Sequence, residues 1–202
     1  MFVQIIQGQV SDRDEAHAAL DQWAQEVAPG ATGWLGSTAG VTPDGQFLAV
    51  ARFDSEKSAR RNSDRAEQDQ WWAQTSKLFT EEATFRESTE VDVDQPGDPD
   101  QAGFVQIIQG RSSDPARAKE LMAQDADAWA AFRPDILGSV AAGHDGGDYT
   151  MVLYFTSEEE ARKGERKESP PELKDQMDAM GALEVGQPTF LDLKDPWLYA
   201  PH

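Results

Sequence analysis

Trp71 and Trp72 stand side by side in this 202-residue chain, and an indole offers a flat molecule both a ring face and an N–H donor. Neighbours on a helix point about 100° apart, so the two are not expected to share a direction. The plainer alternative is that one packs in a core and the other covers a helix edge. Asn62 can donate a hydrogen bond into a pocket, although Asn at a break between helical segments is also common for local turn reasons. Gln4 and Gln7, with their counterparts Gln106 and Gln109, lie on apolar stretches, where a buried amide must be hydrogen-bonded. Being three apart on a strand, Gln4 and Gln7 point to opposite faces. One can serve a pocket and the other a structural seam. Arg52 and its counterpart Tyr154 can each meet an anion, or reach water from a strand end. Asp125 replaces Trp23 on an otherwise apolar helical face with Met122, Ala126 and Trp129, where it can accept a proton or mark the edge of the stripe.

Other chemistry is excluded by residue type. The chain has no cysteine, which removes disulfides, thiolate metal sites and a cysteine nucleophile. Its three histidines, His17, His144 and His202, show no spacing with carboxylates that suits a metal. There is no phosphate loop and no nucleophile elbow. "AAGHDGGD" falls in a turn between two strands, so it is not read as a nucleotide loop. A formal charge of −19 disfavours nucleic acid and anionic lipid as partners, since phosphate binding needs clustered Lys and Arg. The acidity reads as a solvated surface, with a basic partner or a high-salt cytoplasm as the alternative. "MFVQIIQGQVSD" lacks the basic and apolar regions of a signal peptide, and no apolar run reaches about 18 residues. A cytoplasmic location without membrane contact is the expectation.

The residues that must position these groups come in duplicate. "FVQIIQG" occurs at Phe2–Gly8 and again at Phe104–Gly110, 102 positions later. At the same offset Leu35-Gly36-Ser37 meets Leu137-Gly138-Ser139. Phe53 meets Phe155, Ser55-Glu56 meets Ser157-Glu158, and Ala59-Arg60 meets Ala161-Arg162. The period is too long for a solenoid, so each copy is a domain-sized unit. The spacing predicts repeats over 1–93 and 104–193, a Pro/Gly/Asp-rich linker over 94–103 and a tail over 194–202. Trp197, Leu198 and Tyr199 in that tail are too apolar to hang free and are expected to pack on the body.

Each repeat reads in the same order. Phe2–Gly8 is a short β-branched strand. Ser11 or Asp12 caps a helix whose buried stripe is Ala16, Leu20, Trp23, Ala24 and Val27, stopped by Pro29-Gly30. Trp34–Val41 and Gln46–Phe53 are strands joined by a turn at Pro43-Asp44-Gly45. A helical stretch begins at Ser55, breaks near Asn62-Ser63 and resumes through Trp71 and Trp72. Thr84–Val93 is a last strand. In the second copy Ser169 and Glu172 are expected to form a capping box around Pro170, with Leu173, Met177 and Met180 as the buried stripe and Gly181 as the stop. This β-α-β-β-α-β order is ferredoxin-like, an α+β arrangement. Helices cover one sheet face, yet both faces of the first strand are apolar, so the second face also needs a cover. Two copies on one chain can supply it. The expected architecture is an intrachain pseudo-dimeric, eight-stranded barrel: a monomer with internal pseudo-twofold symmetry, its further dimerisation left open.

The pattern resembles the antibiotic biosynthesis monooxygenase family of the dimeric α/β-barrel superfamily, in a tandem-duplicated form. The resemblance rests on the strand "FVQIIQG" followed by a polar turn and helix, on "RFDSEKSAR" leading from the third strand into the second helix, and on the aromatic, polar "QDQWWAQ". It implies a pocket between sheet and helices in each half, holding a small, flat, electron-rich aromatic molecule that molecular oxygen oxidises without metal, flavin or other cofactor. The implied catalytic residues are Asn62 and Trp72. The implied substrate-binding residues are Gln4, Arg52, Trp71, Gln106, Asp125 and Tyr154. Asn62 is not on the first strand, where haem-degrading relatives keep their Asn. No histidine falls in the second helix of either half, where haem-binding relatives carry their ligand. The second repeat has "LKDQMDAM" where the first has its Trp pair, so the first is the better candidate for activity. A non-catalytic ligand-binding or scaffold protein of the same fold is the alternative.

Overall fold

A computed structural model describes residues 1–201; His202 lies outside the described residues. The chain divides into two units, one of Met1–Val91 with the residues from Asp195 onward, the other of Asp92–Lys194. Each carries a five-stranded antiparallel sheet with helices, so the α+β class and the duplicated ferredoxin-like order are present. No helix among the described residues is long and apolar enough to cross a membrane.

In the first unit β1 (Phe2–Gln9) lies between β3 (Gln46–Phe53) and β4 (Thr84–Ser88), and β2 (Trp34–Val41) pairs with β3. Helix α1 (Arg13–Gln22) starts at Asp12, whose carboxylate accepts from the N–H groups of Asp14 and Glu15 at 2.8 and 3.0 Å. The cap is therefore Asp12 and not Ser11. The helix widens into a π-helical turn over Trp23–Val27 and ends in a short 3₁₀ turn at Ala28–Gly30. Ala16, Leu20, Trp23 and Val27 are buried along it. Helices α2 (Glu56–Ser63) and α3 (Ala66–Thr75) are separated at the expected break, and the Ser55 side chain caps the first of them.

The expected strand over 84–93 is two strands in two different sheets. β4 joins β1, whereas β5 (Val91–Asp94) lies at the edge of the second unit's sheet beside β7 (Ile136–Gly143). That sheet continues through β8 (Asp148–Phe155), β6 (Phe104–Arg111) and β9 (Thr189–Leu193). The tail in turn forms β10 (Trp197–Tyr199), which pairs with β2 of the first unit, Trp197 opposite Ala39 and Tyr199 opposite Ser37. There are thus ten strands in these two sheets and not eight. The extra strand of the second sheet, β5, is the end of the stretch expected as the first repeat's last strand, and that of the first sheet, β10, is the tail expected to pack on the body.

The second unit departs from the first in its helices. Instead of one helix with a π-helical turn it has α4 (Pro115–Met122) and α5 (Ala126–Phe132). Asp125 sits between them in the left-handed region at φ 53°, a conformation that Asp tolerates better than most residues. After α6 (Glu158–Glu165) comes α7 (Pro171–Leu183). Ser169 does not cap α7; its hydroxyl lies 3.0 Å from the Met177 sulfur, and Pro170 occupies the cap. Gly181 lies within α7 and does not end it. Its inward stripe is Leu173 with Gln176, while Met177 is 43% exposed.

The repeated glycine has a steric role in both units. A Cβ on Gly8 would stand 2.6 Å from the Phe79 ring, and one on Gly110 would stand 2.7 Å from the Tyr149 hydroxyl. Only a bare backbone lets those rings lie on the strand.

Candidate functional site

The helix-facing side of the first sheet is set by strand parity. Phe2, Gln4, Ile6 and Gly8 of β1 stand opposite Phe53, Ala51, Ala49 and Phe47 of β3. Glu87 and Phe85 of β4 continue that face. Between it and the helices lies a continuous layer of rings. Trp23 meets Trp34 edge-on at 5.1 Å between centroids and Trp71 at 6.3 Å. Trp71 is 5.9 Å from Trp72, which is 5.9 Å from Phe79 and meets Phe85 edge-on at 5.2 Å. Offset and edge-on geometry suits aromatic quadrupoles, so the layer is well packed. It runs from buried Trp23 through half-buried Trp72 to Phe85, which is 48% exposed. The two adjacent tryptophans diverge as helical geometry requires. Trp71 turns toward α1, donating its N–H to the Ala19 carbonyl at 2.8 Å, and Trp72 turns toward β4.

The polar groups around Trp23 and Trp34 are committed to one another. The Trp23 N–H donates to the Gln68 side chain at 2.7 Å, and the Trp34 N–H to the Ser37 hydroxyl at 2.9 Å. Asn62, 6% exposed, donates to the same Gln68 oxygen at 3.2 Å and accepts from Arg65 at 3.0 Å. Arg65 also donates to the Val27 carbonyl at 3.0 Å. Asn62 therefore ties α2, α3 and the π-helical turn together, and its partners are Gln68 and Arg65 rather than Trp72. Gln68 is the residue the sequence reading missed. Its signal is its spacing: it lies three residues before Trp71 and four before Trp72, on their side of α3.

Gln4 and Gln106 play one part twice. The Gln4 amide donates to Glu87 at 3.0 Å, and Glu87 also accepts from Arg60. The Gln106 amide donates to Asp192 at 2.9 Å, and Asp192 also accepts from Arg162. Each arginine also lies over the first ring of its repeat, Arg60 over Phe2 at 5.9 Å and Arg162 over Phe104 at 5.2 Å. In both units this triad ties the first strand, an edge strand and a helix together. Glu87 and Asp192 raise the pKa of their arginines, for Arg162 against the opposing effect of burial.

Three expected pocket residues are elsewhere. Arg52 and Tyr154 stand on the sheet face away from the helices, because Ala51 and Phe53, and Leu153 and Phe155, take the helix side. Arg52 lies between Val3 and Gly36 in register, and its Nε is buried without a hydrogen-bond partner among the described residues. Asp125 is exposed, since the left-handed break turns it out of the stripe; Met122 and Ala126 are exposed with it. None of Arg52, Tyr154 and Asp125 lines a slot between sheet and helices.

Among the described residues no group of three or more His, Asp or Glu side chains could hold a metal ion. His17 stacks on Trp197, and His144 lies 3.1 Å from the Thr150 hydroxyl. Two tyrosines donate to carboxylates, Tyr149 to Glu184 and Tyr199 to Asp21, at 2.7 and 2.8 Å. Burial, then the adjacent carboxylate, pushes both phenols well above the ordinary tyrosine pKa. An open concavity of about 530 Å³ on α2 is lined by Glu56, Lys57, Arg60, Arg61 and Asp64 and lacks aromatic walls.

No protein-family model and no curated protein matches the sequence. Solved structures match at the level of fold. A candidate monooxygenase from Lactobacillus acidophilus NCFM is 12% identical with a TM-score of 0.78, the match covering 98% of this chain and 95% of that one. A second candidate monooxygenase, from Fusobacterium nucleatum subsp. nucleatum, is 10% identical with a TM-score of 0.75, covering 98% and 94%. An anthrone oxidase-like protein is 9% identical with a TM-score of 0.64, covering 98% and 92%. Each match spans both repeats, so the duplicated fold as a whole is shared.

Proposed function

We propose that the chain is a cofactor-independent, monooxygenase-like protein of the antibiotic biosynthesis monooxygenase type, acting on a small, flat, electron-rich aromatic molecule. The observation that carries the reading is the ring layer of the first unit, which runs from buried Trp23 to Phe85 at the surface. A planar substrate can stack on Trp72 and Phe85 and be shielded from water by the rings behind them. The fold likeness to the candidate monooxygenases and to the anthrone oxidase-like protein supports the same class, while identity near 10% leaves the substrate to experiment.

The chemistry asks little of a protein. A substrate C–H or O–H loses its proton and the resulting anion passes one electron to dioxygen. The radical pair closes a C–O bond, and the hydroperoxide so formed loses water to leave a carbonyl. The substrate supplies all the electrons, so one oxygen atom enters the product and the other leaves as water. The protein's part is to orient the ring, exclude water and stabilise the anion. Trp72 is read as the stacking group and Trp71 as the wall behind it. Asn62 is read as a positioning residue, acting through Gln68 on Trp23.

A non-catalytic aromatic-binding protein is the second reading. It is favoured by the internal commitment of Asn62, Gln4 and Gln106, which leaves no free amide among these three. Oxygen uptake by metal-free protein with anthrones and hydroquinones separates the two. Uptake above the uncatalysed rate that falls at least tenfold in Trp72→Ala and Phe85→Ala supports the oxygenase. Binding of the same compounds without uptake supports the second reading.

A further inference from the structure

The C-terminal strand is fastened to the first unit by one stripe of α1. Arg13, His17 and Asp21, at successive i, i+4 positions, all meet β10 or the residues just before it. The Arg13 guanidinium lies 5.4 Å from the Trp197 ring centroid and donates to the Asp195 carbonyl at 3.3 Å. The His17 ring stacks on Trp197 at 4.3 Å and 4°. Asp21 accepts from the Tyr199 hydroxyl at 2.8 Å. Trp197, 4% exposed, joins Leu20, Ala39 and Phe47 in the layer between sheet and helices, where Trp71 and Phe79 also pack.

One atom in this arrangement is unexplained by folding. The Trp197 Nε1 is buried and has no hydrogen-bond partner among the described residues. The indole N–H groups of Trp23, Trp34 and Trp71 each have one. A buried donor left unpaired costs about 1–3 kcal/mol, and a fully satisfied alternative, phenylalanine, was open at this position. A lone, preorganised N–H donor beside an aromatic layer suits an oxygen that carries negative charge.

Resting on the reading of this layer as an aromatic-binding site, we propose that the Trp197 indole N–H receives the ionised oxygen of a bound phenol or enol, so that β10 carries part of the site. β10 has only three residues and pairs on one side only, so it can part from β2 to admit a ligand without breaking any other strand's pairing. The preferred substrate is then the anion of a flat hydroxyaromatic, bound more tightly than its neutral form.

Alizarin tests this, because its visible spectrum reports ionisation of its phenol. Wild type, Trp197→Phe and Trp72→Ala are titrated with alizarin and with its O-methylated form. The expected result is that wild type lowers the apparent pKa of bound alizarin by about one unit, equivalent to a tenfold preference for the anion. Trp197→Phe should lose that shift and bind the anion roughly tenfold more weakly, yet bind the methylated form as wild type does. Trp72→Ala should weaken both ligands. Benzothienylalanine at position 197, which keeps the bicyclic shape without the N–H, should behave as Trp197→Phe and guards against a packing defect. An unchanged pKa shift in the isostere overturns the inference while leaving the aromatic-binding reading intact. Failure of wild type to bind either ligand overturns both.

Discussion

Asn62 drew notice as a hydrogen-bond donor at a helix break, and its surroundings turn that donor inward. Its amide holds Gln68 and Arg65 together beneath Trp23. Asn62→Ala should therefore lower unfolding stability by about 1 kcal/mol in urea, because it removes two hydrogen bonds whose half-buried partners, Gln68 and Arg65, each keep another. An oxygen-uptake defect with no such stability loss would instead make Asn62 a group that touches substrate. The tyrosine–carboxylate pairs carry a pH signature. Their folded pKa values lie above the unfolded value of 10.0, so the neutral phenol is favoured in the native state. Their contribution is complete below about pH 10 and is lost as pH rises beyond it, where the unfolded chain sheds the proton first. Melting temperature should thus fall more steeply between pH 10 and 11 in wild type than in a Tyr149→Phe, Tyr199→Phe double variant.

At the scale of elements, the repeated triads explain why Gln and Arg persist in both copies. Gln4–Glu87–Arg60 and Gln106–Asp192–Arg162 each tie an edge strand to the first strand and the second-helix region. They are not equal in worth. Gln4 is half-buried, so water can replace its lost partner, whereas Gln106 is 6% exposed. Asp192→Ala should accordingly cost about 1–3 kcal/mol and Glu87→Ala less than about 1 kcal/mol, measured by chemical denaturation. The helices show the opposite lesson. Position 23 is a buried Trp in a π-helical turn, while its counterpart Asp125 sits in a left-handed break at the surface. The counterpart of a continuous ring-lined helix is thus two short helices broken at Asp125, and among the described residues the second unit has no ring layer like the first.

At the scale of the molecule, each sheet is completed by a strand at or beyond the end of the other repeat. Residues from Asp195 onward belong to the first unit, far in sequence from the rest of it. Ending the chain after Lys194 should remove β10 and the buried Trp197 indole, with a loss of about 4 kcal/mol from area burial alone. Amide exchange should accelerate in β2, whose edge is then unpaired, and stay unchanged in β7. Equal acceleration in both would show that the tail stabilises the chain generally and not the first sheet in particular.

The sequence alone determined the duplication, the ferredoxin-like order, the bounds of β2 and β3, the break between α2 and α3, and the aromatic character of the first unit. These are local or periodic properties, readable from spacing, caps and identical offsets. It could not determine where Val91–Asp94 and Trp197–Tyr199 pair, because strand partners far apart in sequence leave no local mark. Nor could it reveal that the Asn62 amide is spent on Gln68, that Arg52 and Tyr154 face away from the helices, or that the Trp197 N–H is left without a partner. Each of these depends on which groups meet in three dimensions, and only the tertiary structure decides whether a buried donor finds an acceptor.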